Sequence, residues 1–215
     1  MIVAIDGPAG VGKSTVAREI ARKMGMFYLN SGNFYRAITW GVLNAGIDPE
    51  DRNKIIDYAQ NCTLSVEKNR VHLNGIDIEE YLHSDAVDEW VAEVSSIREI
   101  REIVNSNLKE IGKTTEVVAE GRDVTTVVFP DADVKVYLDA SLEKRAERRF
   151  KQGTSFLSVD ELISRIKKRD ALDKNKPFGK LKIADDALYL DTSDLTIDEV
   201  CEKVITRIKE TRKNC

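Results

Sequence analysis

The sequence predicts a three-layer α/β fold, a central parallel sheet with helices on both faces, and three observations lead there. Short apolar runs rich in β-branched residues alternate with longer segments of helical periodicity. The first run, Ile2-Val3-Ala4-Ile5, leads at once into a glycine-rich loop, Gly7-Pro8-Ala9-Gly10-Val11-Gly12-Lys13-Ser14. No repeat, low-complexity tract or linker breaks the 215 residues, a length that suits one domain with a full core.

The loop is a complete GxxxxGK[ST] motif, and its setting gives it meaning. The run before it reads as a buried strand. After it, Ser14-Thr15-Val16-Ala17-Arg18-Glu19-Ile20 reads as a helix with Val16, Ile20 and Met24 on one face. Strand, glycine loop and helix N-terminus turn successive backbone N–H groups onto one anion. Lys13 then reaches the β- and γ-phosphates, and the Ser14 hydroxyl ligates Mg2+. Gly7 to Thr15 are therefore expected to bind a nucleoside triphosphate, in a P-loop NTPase fold rather than as a glycine turn with a solvated lysine.

Further parallel strands are expected at Met26–Leu29, Glu116–Ala119, Val134–Leu138 and Ala187–Leu190. Helices are expected at Ser31–Asn44, Asp51–Asn61, Asp85–Ile111, Ser141–Gln152, Val159–Leu172 and Ile197–Lys213. Thr63–Glu67 and Val71–Leu73, joined by Lys68-Asn69-Arg70, read as an antiparallel hairpin. That hairpin interrupts the alternation, so residues 47–84 are expected to be an inserted subdomain. The core is then 1–46 and 85–215 of a single domain spanning 1–215.

Composition excludes several classes. Charged residues are 33% and hydrophobic ones 42%, ordinary values for a soluble protein, and no apolar run approaches a membrane span. A first strand at the opening residues is expected to leave no room for a signal segment. Three widely spaced cysteines, Cys62, Cys201 and Cys215, suggest neither a disulfide framework nor zinc. A reduced, cytoplasmic setting is expected. A net charge of −4 argues against coating nucleic acid, so an anionic substrate must be held by local basic clusters.

In parallel α/β sheets ligands sit at the carboxyl ends of strands. After the second strand come Asn30-Ser31-Gly32-Asn33-Phe34-Tyr35-Arg36, with Ser31 expected as N-cap; after the third come Glu120-Gly121-Arg122-Asp123. Arginines at two successive strand ends are suited to a second phosphate, because a guanidinium fork binds phosphate oxygens bidentately. Glu120 and Asp123 both lie where a carboxylate would order the metal's water shell. Later, Arg145, Arg148 and Arg149 share a helical face, and Arg165, Arg169 and Asp173 share another beyond the turn Gln152-Gly153-Thr154-Ser155. Two such helices, about 145–177, are expected to form a lid that excludes water and supplies cations to the transferring phosphate. Trp40 and Trp90 read as packing residues.

The ordered series AIDGPAGVGKST (Ala4–Thr15), YLNSGNFYRAITW (Tyr28–Trp40), EGRD to TVVFPDADVKVYLDAS (Glu120–Ser141), RRF (Arg148–Phe150), KRDALDKN (Lys168–Asn175) and DDALYLDTSDLTIDEV (Asp185–Val200) closely resembles the bacterial cytidylate kinases, a branch of the nucleoside monophosphate kinases. The resemblance runs over essentially the whole chain and includes the inserted subdomain. It implies transfer of the ATP γ-phosphate to CMP or dCMP with Mg2+, by a monomer with no partner in nucleic acid or membrane. The implied acceptor residues are Ser31, Tyr35, Arg36, Arg101, Arg122, Asp123, Arg169, Asp173 and Lys176. Arg36 and Arg122 correspond to arginines on the acceptor phosphate, Arg101 and Asp123 to readers of cytosine, and Arg169 and Asp173 to contacts near phosphate and ribose. Charge stabilisation falls to Lys13, Arg122, Arg148, Arg149 and Arg169, and metal ligation to Ser14, with Glu120 ordering the metal's water shell. A monophosphate dianion is already nucleophilic, so no general base is required. The two histidines, His72 and His83, lie in the insert.

The chain departs from the family pattern at four positions. Asn30 replaces an aspartate, Ala92 a serine facing the base, Lys176 an arginine and Thr125 a glycine. Lys176 keeps charge without the bidentate fork, and Ala92 removes a hydrogen bond of about 0.5–1.5 kcal/mol, which bears on telling cytosine from uracil. Two other readings stand beside the first. One is a P-loop phosphotransferase with another acceptor, such as UMP, AMP or an alcohol; paired Arg36 and Arg122 favour an anionic one. The other is a GTP-dependent switch, against which Asn53-Lys54-Ile55-Ile56 lacks the aspartate of a guanine-reading NKxD.

Overall fold

The computed structural model describes residues 1–67, 69–151, 153 and 157–213; Lys68 of the expected hairpin turn, Gln152, Thr154 and Ser155 of the expected lid turn, and Cys215 lie outside them. The strands in chain order are β1 (Ile2–Asp6), β2 (Phe27–Asn30), β3 (Leu64–Glu67), β4 (Arg70–Leu73), β5 (Ile76–Asp77), β6 (Val117–Gly121), β7 (Val134–Asp139) and β8 (Leu188–Asp191). The helices are α1 (Lys13–Met24), α2 (Ser31–Asn44), α3 (Arg52–Asn61), α4 (Asp85–Val94), α5 (Arg98–Thr114), α6 (Leu142–Lys151), α7 (Val159–Asn175) and α8 (Ile197–Lys213). Among the described residues, no helix is long and apolar enough to cross a membrane.

Two compact units form, Met1–Leu29 with Thr115–Cys215, and Asn30–Thr114. The residues expected as an insert, 47–84, lie within the second unit, in which α2 packs against α3, α4, α5 and β4.

The first unit is built on a five-stranded sheet of order β2-β6-β1-β7-β8, with β1 parallel to β6 and β7, and β7 parallel to β8. Val3, Ala4 and Ile5 are fully buried, as are Val117 and Val118 on the neighbouring strand. Central parallel strands are covered on both faces, which is why they read as continuous apolar runs. Helices α1 and α8 pack on each other. Val16, Ala17 and Ile20 of the first and Val200, Val204 and Ile208 of the second close over Val3, Ile5, Val134 and Val136. This is the predicted parallel α/β architecture.

In the second unit β3, β4 and β5 form a small antiparallel sheet. The two-residue β5 carries no sequence signal, since Ile76 is exposed. Phe34, Ile38 and Val42 of α2 pack among Ile55, Leu73, Ile100 and Val104 in the buried interior. At Gly41 any Cβ would lie 2.4 Å from the Tyr58 hydroxyl and 2.6 Å from Leu73, so only glycine lets α2 approach the sheet this closely. Trp40 stacks on Tyr81, with ring centroids 5.5 Å apart, and is a packing residue as expected.

Two expectations change. The single helix expected at Asp85–Ile111 is two, α4 and α5. Ser95 Oγ donates to Ala92 O at 3.0 Å and Ser96 Oγ to Glu93 O at 2.7 Å. Hydroxyls that bond the last-turn carbonyls compete with the continuing helix. The N-cap of α2 is Asn30, not Ser31: its side chain accepts from Gly32 N at 2.9 Å, and Ser31 is the first helical residue.

Candidate active site

The phosphate loop turns through Gly10 (φ 77°) and Gly12 (φ 96°), left-handed conformations that β-carbon-bearing residues rarely adopt. The Lys13 side chain folds back under this loop. Its Nζ donates to Gly7 O and Pro8 O, each at 2.8 Å. Burial pushes the Lys13 ammonium down to about 7, Arg122 adds to the shift, and Glu120, Asp6 and Asp173 work against it.

Ser14 Oγ donates to Glu120 Oε1 at 2.6 Å, and Tyr28 OH donates to the same oxygen at 3.1 Å. The structure thus brings together the predicted metal pair, a hydroxyl at the start of α1 and a buried carboxylate on β6. Both are hard oxygen donors, which suits Mg2+. Among the described residues there is no group of three or more His, Cys, Asp or Glu that would hold a metal. Mg2+ is usually held by one or two carboxylates together with substrate phosphates and water. The alternative carboxylate, Asp123, sits at the start of a helical turn, Val124–Val128, and its backbone carbonyl accepts from Val127 N at 2.8 Å.

Asp6, which sequence reasoning passed over, is fully buried at the end of β1. It accepts from Val124 N (3.0 Å), Thr125 N (2.7 Å) and Thr125 Oγ1 (2.6 Å). The segment after Arg122-Asp123 is therefore pinned to the strand that feeds the phosphate loop. The hydroxyl at Thr125, where the family pattern has glycine, supplies one of the three donors. Burial raises the Asp6 carboxyl to about 6 against those donors, with Asp123 adding to the rise. Between its ordinary value of 3.8 and about 6 the folded chain keeps a proton that the unfolded chain has released. This group alone thus makes the fold lose stability as pH rises through that window. Thr125→Val is expected to destabilise the fold by about 1.5–3 kcal/mol at pH 8, where Asp6 is ionised, and by less at pH 5. Thr125→Ser should restore most of the loss. Equal melting temperatures for wild type and Thr125→Val at pH 8 would refute the pin.

Arg122 Nε donates to Asp173 Oδ2 at 2.8 Å; Lys176 Nζ lies 2.9 Å from the other oxygen and Arg169 Nε 3.8 Å from Oδ2. Four residues predicted for the acceptor therefore meet around one carboxylate that is 1% exposed. Burial would push the Asp173 carboxyl up, but Arg122 and Lys176 outweigh it and hold it below the usual range. In the other unit Arg36 Nη1 pairs with Asp88 Oδ1 at 2.6 Å and Leu82 O at 2.8 Å. The Arg101 guanidinium lies over the Tyr35 ring at 5.2 Å and donates to Ser95 O at 3.2 Å. Ser31, Tyr35 and Arg101 are buried there.

The late arginines divide. Arg148 Nη1 donates to Val11 O at 3.3 Å and to Thr192 Oγ1 at 3.0 Å, and Nη2 bonds Thr192 O. It borders a cavity of about 260 Å³ that Gly12, Thr15, Thr196 and Val200 also line. Arg145 is buried and bonds Ala9 O. Arg149, grouped with them by spacing, is exposed; it is rotated by about 100° from Arg148 around the helix axis. Arg165 is exposed too. Tyr28, Thr192 and Asp170 are contacts that the predicted site omits, while Arg145, expected among the lid cations, bonds Ala9 O and Asp170. Asp170 lies in the quoted KRDALDKN segment, three residues before Asp173, which was its only signal.

Residues 3–210 match the family model described as Cytidylate kinase. The chain belongs to the cytidylate kinase family. It is similar to a cytidylate kinase of Caldanaerobacter subterraneus subsp. tengcongensis, 42% identical over 98% of this chain and 96% of the relative. A cytidylate kinase of Clostridioides difficile is 37% identical over 97% of this chain and 98% of the other. Among solved structures, an uncharacterized protein from Eubacterium ventriosum shares the fold, with a TM-score of 0.56 and 13% identity over 98% of each chain.

Proposed function

We propose that this chain transfers the γ-phosphate of ATP to the 5′-phosphate of CMP or dCMP, in line, giving CDP or dCDP. Family membership supports a nucleoside monophosphate kinase. The observation that carries the mechanism is the gathering of Lys13, the Ser14–Glu120 pair and Arg122 around the ends of β1 and β6. The nucleoside of ATP is assigned to the cavity beside Arg148 and Thr192.

Mg2+, bound through the triphosphate, Ser14 and water ordered by Glu120, would neutralise charge on the β- and γ-oxygens. Lys13, now held by two loop carbonyls, turns to the β/γ-phosphates. Arg122 exchanges Asp173 for phosphate oxygens, and Arg36 likewise leaves Asp88. An acceptor oxygen attacks the γ-phosphorus while the bond to the β,γ-bridging oxygen breaks, so ADP leaves with that electron pair. Lys13, Arg122, Arg148, Arg149 and Arg169 stabilise charge in this reading. Ser31, Tyr35, Arg36, Arg101, Asp123, Asp173 and Lys176 keep the acceptor roles that the resemblance implies. One chain supplies every residue invoked, so a monomer suffices.

ADP formation from Mg-ATP against CMP, dCMP, UMP, AMP and GMP tests this. CMP and dCMP should exceed UMP by at least about tenfold, roughly 1.4 kcal/mol. Ser95, one turn beyond Ala92, donates its hydroxyl to Ala92 O, so this reading leaves cytosine discrimination to Arg101 and Asp123. Equal rates with UMP would mean that they do not supply it. Preference for AMP or GMP would overturn the acceptor assignment.

A further inference from the structure

The tip of the phosphate loop is held by two side chains outside the loop. Ala9 N donates to Asp170 Oδ1 at 3.2 Å, and Ala9 O accepts from Arg145 Nη1 at 3.0 Å. The same Nη1 lies 2.5 Å from Asp170 Oδ2, and Arg145 Nε donates to Ala140 O at 3.0 Å. Both polar backbone groups of one loop residue are thus committed to a single ion pair whose side chains are 8% and 13% exposed. An ion pair this buried holds its geometry because losing either partner strands a charge.

The helix that carries Asp170 is built for this contact. Leu162 and Ile166 of α7 pack with Ala9 and with Ala146 of α6. Asp170 follows one turn later and Asp173 on the turn after that, so Leu162, Ile166, Asp170 and Asp173 form one stripe. The first three residues grip the loop, and the fourth holds Arg122. At Gly10, in a left-handed turn, an added Cβ would lie 3.4 Å from Arg145 and 3.7 Å from Ile166, so the loop passes close to both.

We propose that Asp170 is a positioning residue of the donor site: acting with Arg145, it sets the backbone of the phosphate loop at Ala9. The Arg122 contact from the same stripe belongs to the acceptor side. These two of the carboxylates on α7 therefore divide the labour, Asp170 for the nucleoside triphosphate and Asp173 for the monophosphate. This inference rests on the reading of the loop as the ATP site.

Initial rates of the full chain, varied in ATP at saturating CMP and in CMP at saturating ATP, test the division. Asp170→Ala should raise the KM for ATP about tenfold or more and leave the KM for CMP within about twofold. Asp173→Ala should show the reverse split. Simple loss of folded enzyme would lower kcat and move neither KM. Asp170→Asn keeps an oxygen acceptor for Ala9 N–H but no charge for Arg145, so its KM for ATP should fall between wild type and Ala. It also decides the matter if the alanine variant does not fold. A wild-type KM for ATP in Asp170→Ala, or an equal rise in both constants, would overturn the proposal. The affinity for ATP, measured by calorimetry, makes the same comparison without an acceptor. A chain that binds ATP but transfers nothing to CMP would therefore count against the function, not against this role of Asp170.

Discussion

Lys13→Ala lowers kcat by about 10²–10³-fold or more, the loss typical of removing one preorganised donor from a developing anion, while the fold survives. The lysine lies buried under the loop and bonds only two backbone carbonyls among the described contacts. Alanine leaves those carbonyls to water or to loop amides. Circular dichroism and melting beside the rate measurement separate the two effects. Turnover near wild type would remove Lys13 from the mechanism. The lysine also sets a pH dependence. With its value near 7, the folded chain holds fewer protons than the unfolded chain from about 7 to the ordinary 10.5. Its contribution makes stability rise with pH across that window. Triphosphate binding favours the charged lysine, so binding at pH 8 should take up protons. Calorimetry in two buffers of different ionisation enthalpy reads that uptake, and none would contradict the assignment.

Arg122→Ala has the second large effect. It raises the KM for CMP and depresses kcat while ATP affinity stays close to normal. It should also destabilise the fold, since Asp173 is 1% exposed and loses its closest guanidinium. Breaking a fully buried pair costs about 3–5 kcal/mol; Lys176, 2.9 Å from the same carboxylate, keeps the expected loss below that range. Equal weakening of ATP would place Arg122 in the donor site instead. Arg122→Lys should recover stability better than rate, because charge returns without the bidentate fork.

These two residues mark what was legible in the sequence. Lys13 and Ser14 come from a contiguous motif whose chemistry is local, so strand, loop and helix fall where the pattern puts them. The buried runs of β1, β6 and β7 are likewise local signals and appear as strands close to the expected bounds. The break between α4 and α5 was hidden because apolar spacing continues through Val91, Val94, Ile97, Ile100 and Val104. The hydroxyls of Ser95 and Ser96 bond back to Ala92 O and Glu93 O where the first helix ends. The partners of Asp6 and Asp170 were invisible for another reason. Val124 and Thr125 lie 118 and 119 positions from Asp6, and Ala9 lies 161 from Asp170. A charged residue shows its type in sequence but not which distant backbone group it holds. The same limit explains Arg145, Arg148 and Arg149: spacing put them on one face, whereas packing buries the first, half-buries the second and exposes the third.

The central claim is phosphoryl transfer to a pyrimidine monophosphate, and following the γ-phosphate label of ATP tests it most directly. Incubating the chain with Mg-ATP labelled in the γ-phosphate and CMP should move the label into CDP, one CDP formed for each ADP, and Lys13→Ala should abolish the transfer. Label released only as inorganic phosphate, with no CDP formed, would show a nucleotide hydrolase and contradict the account.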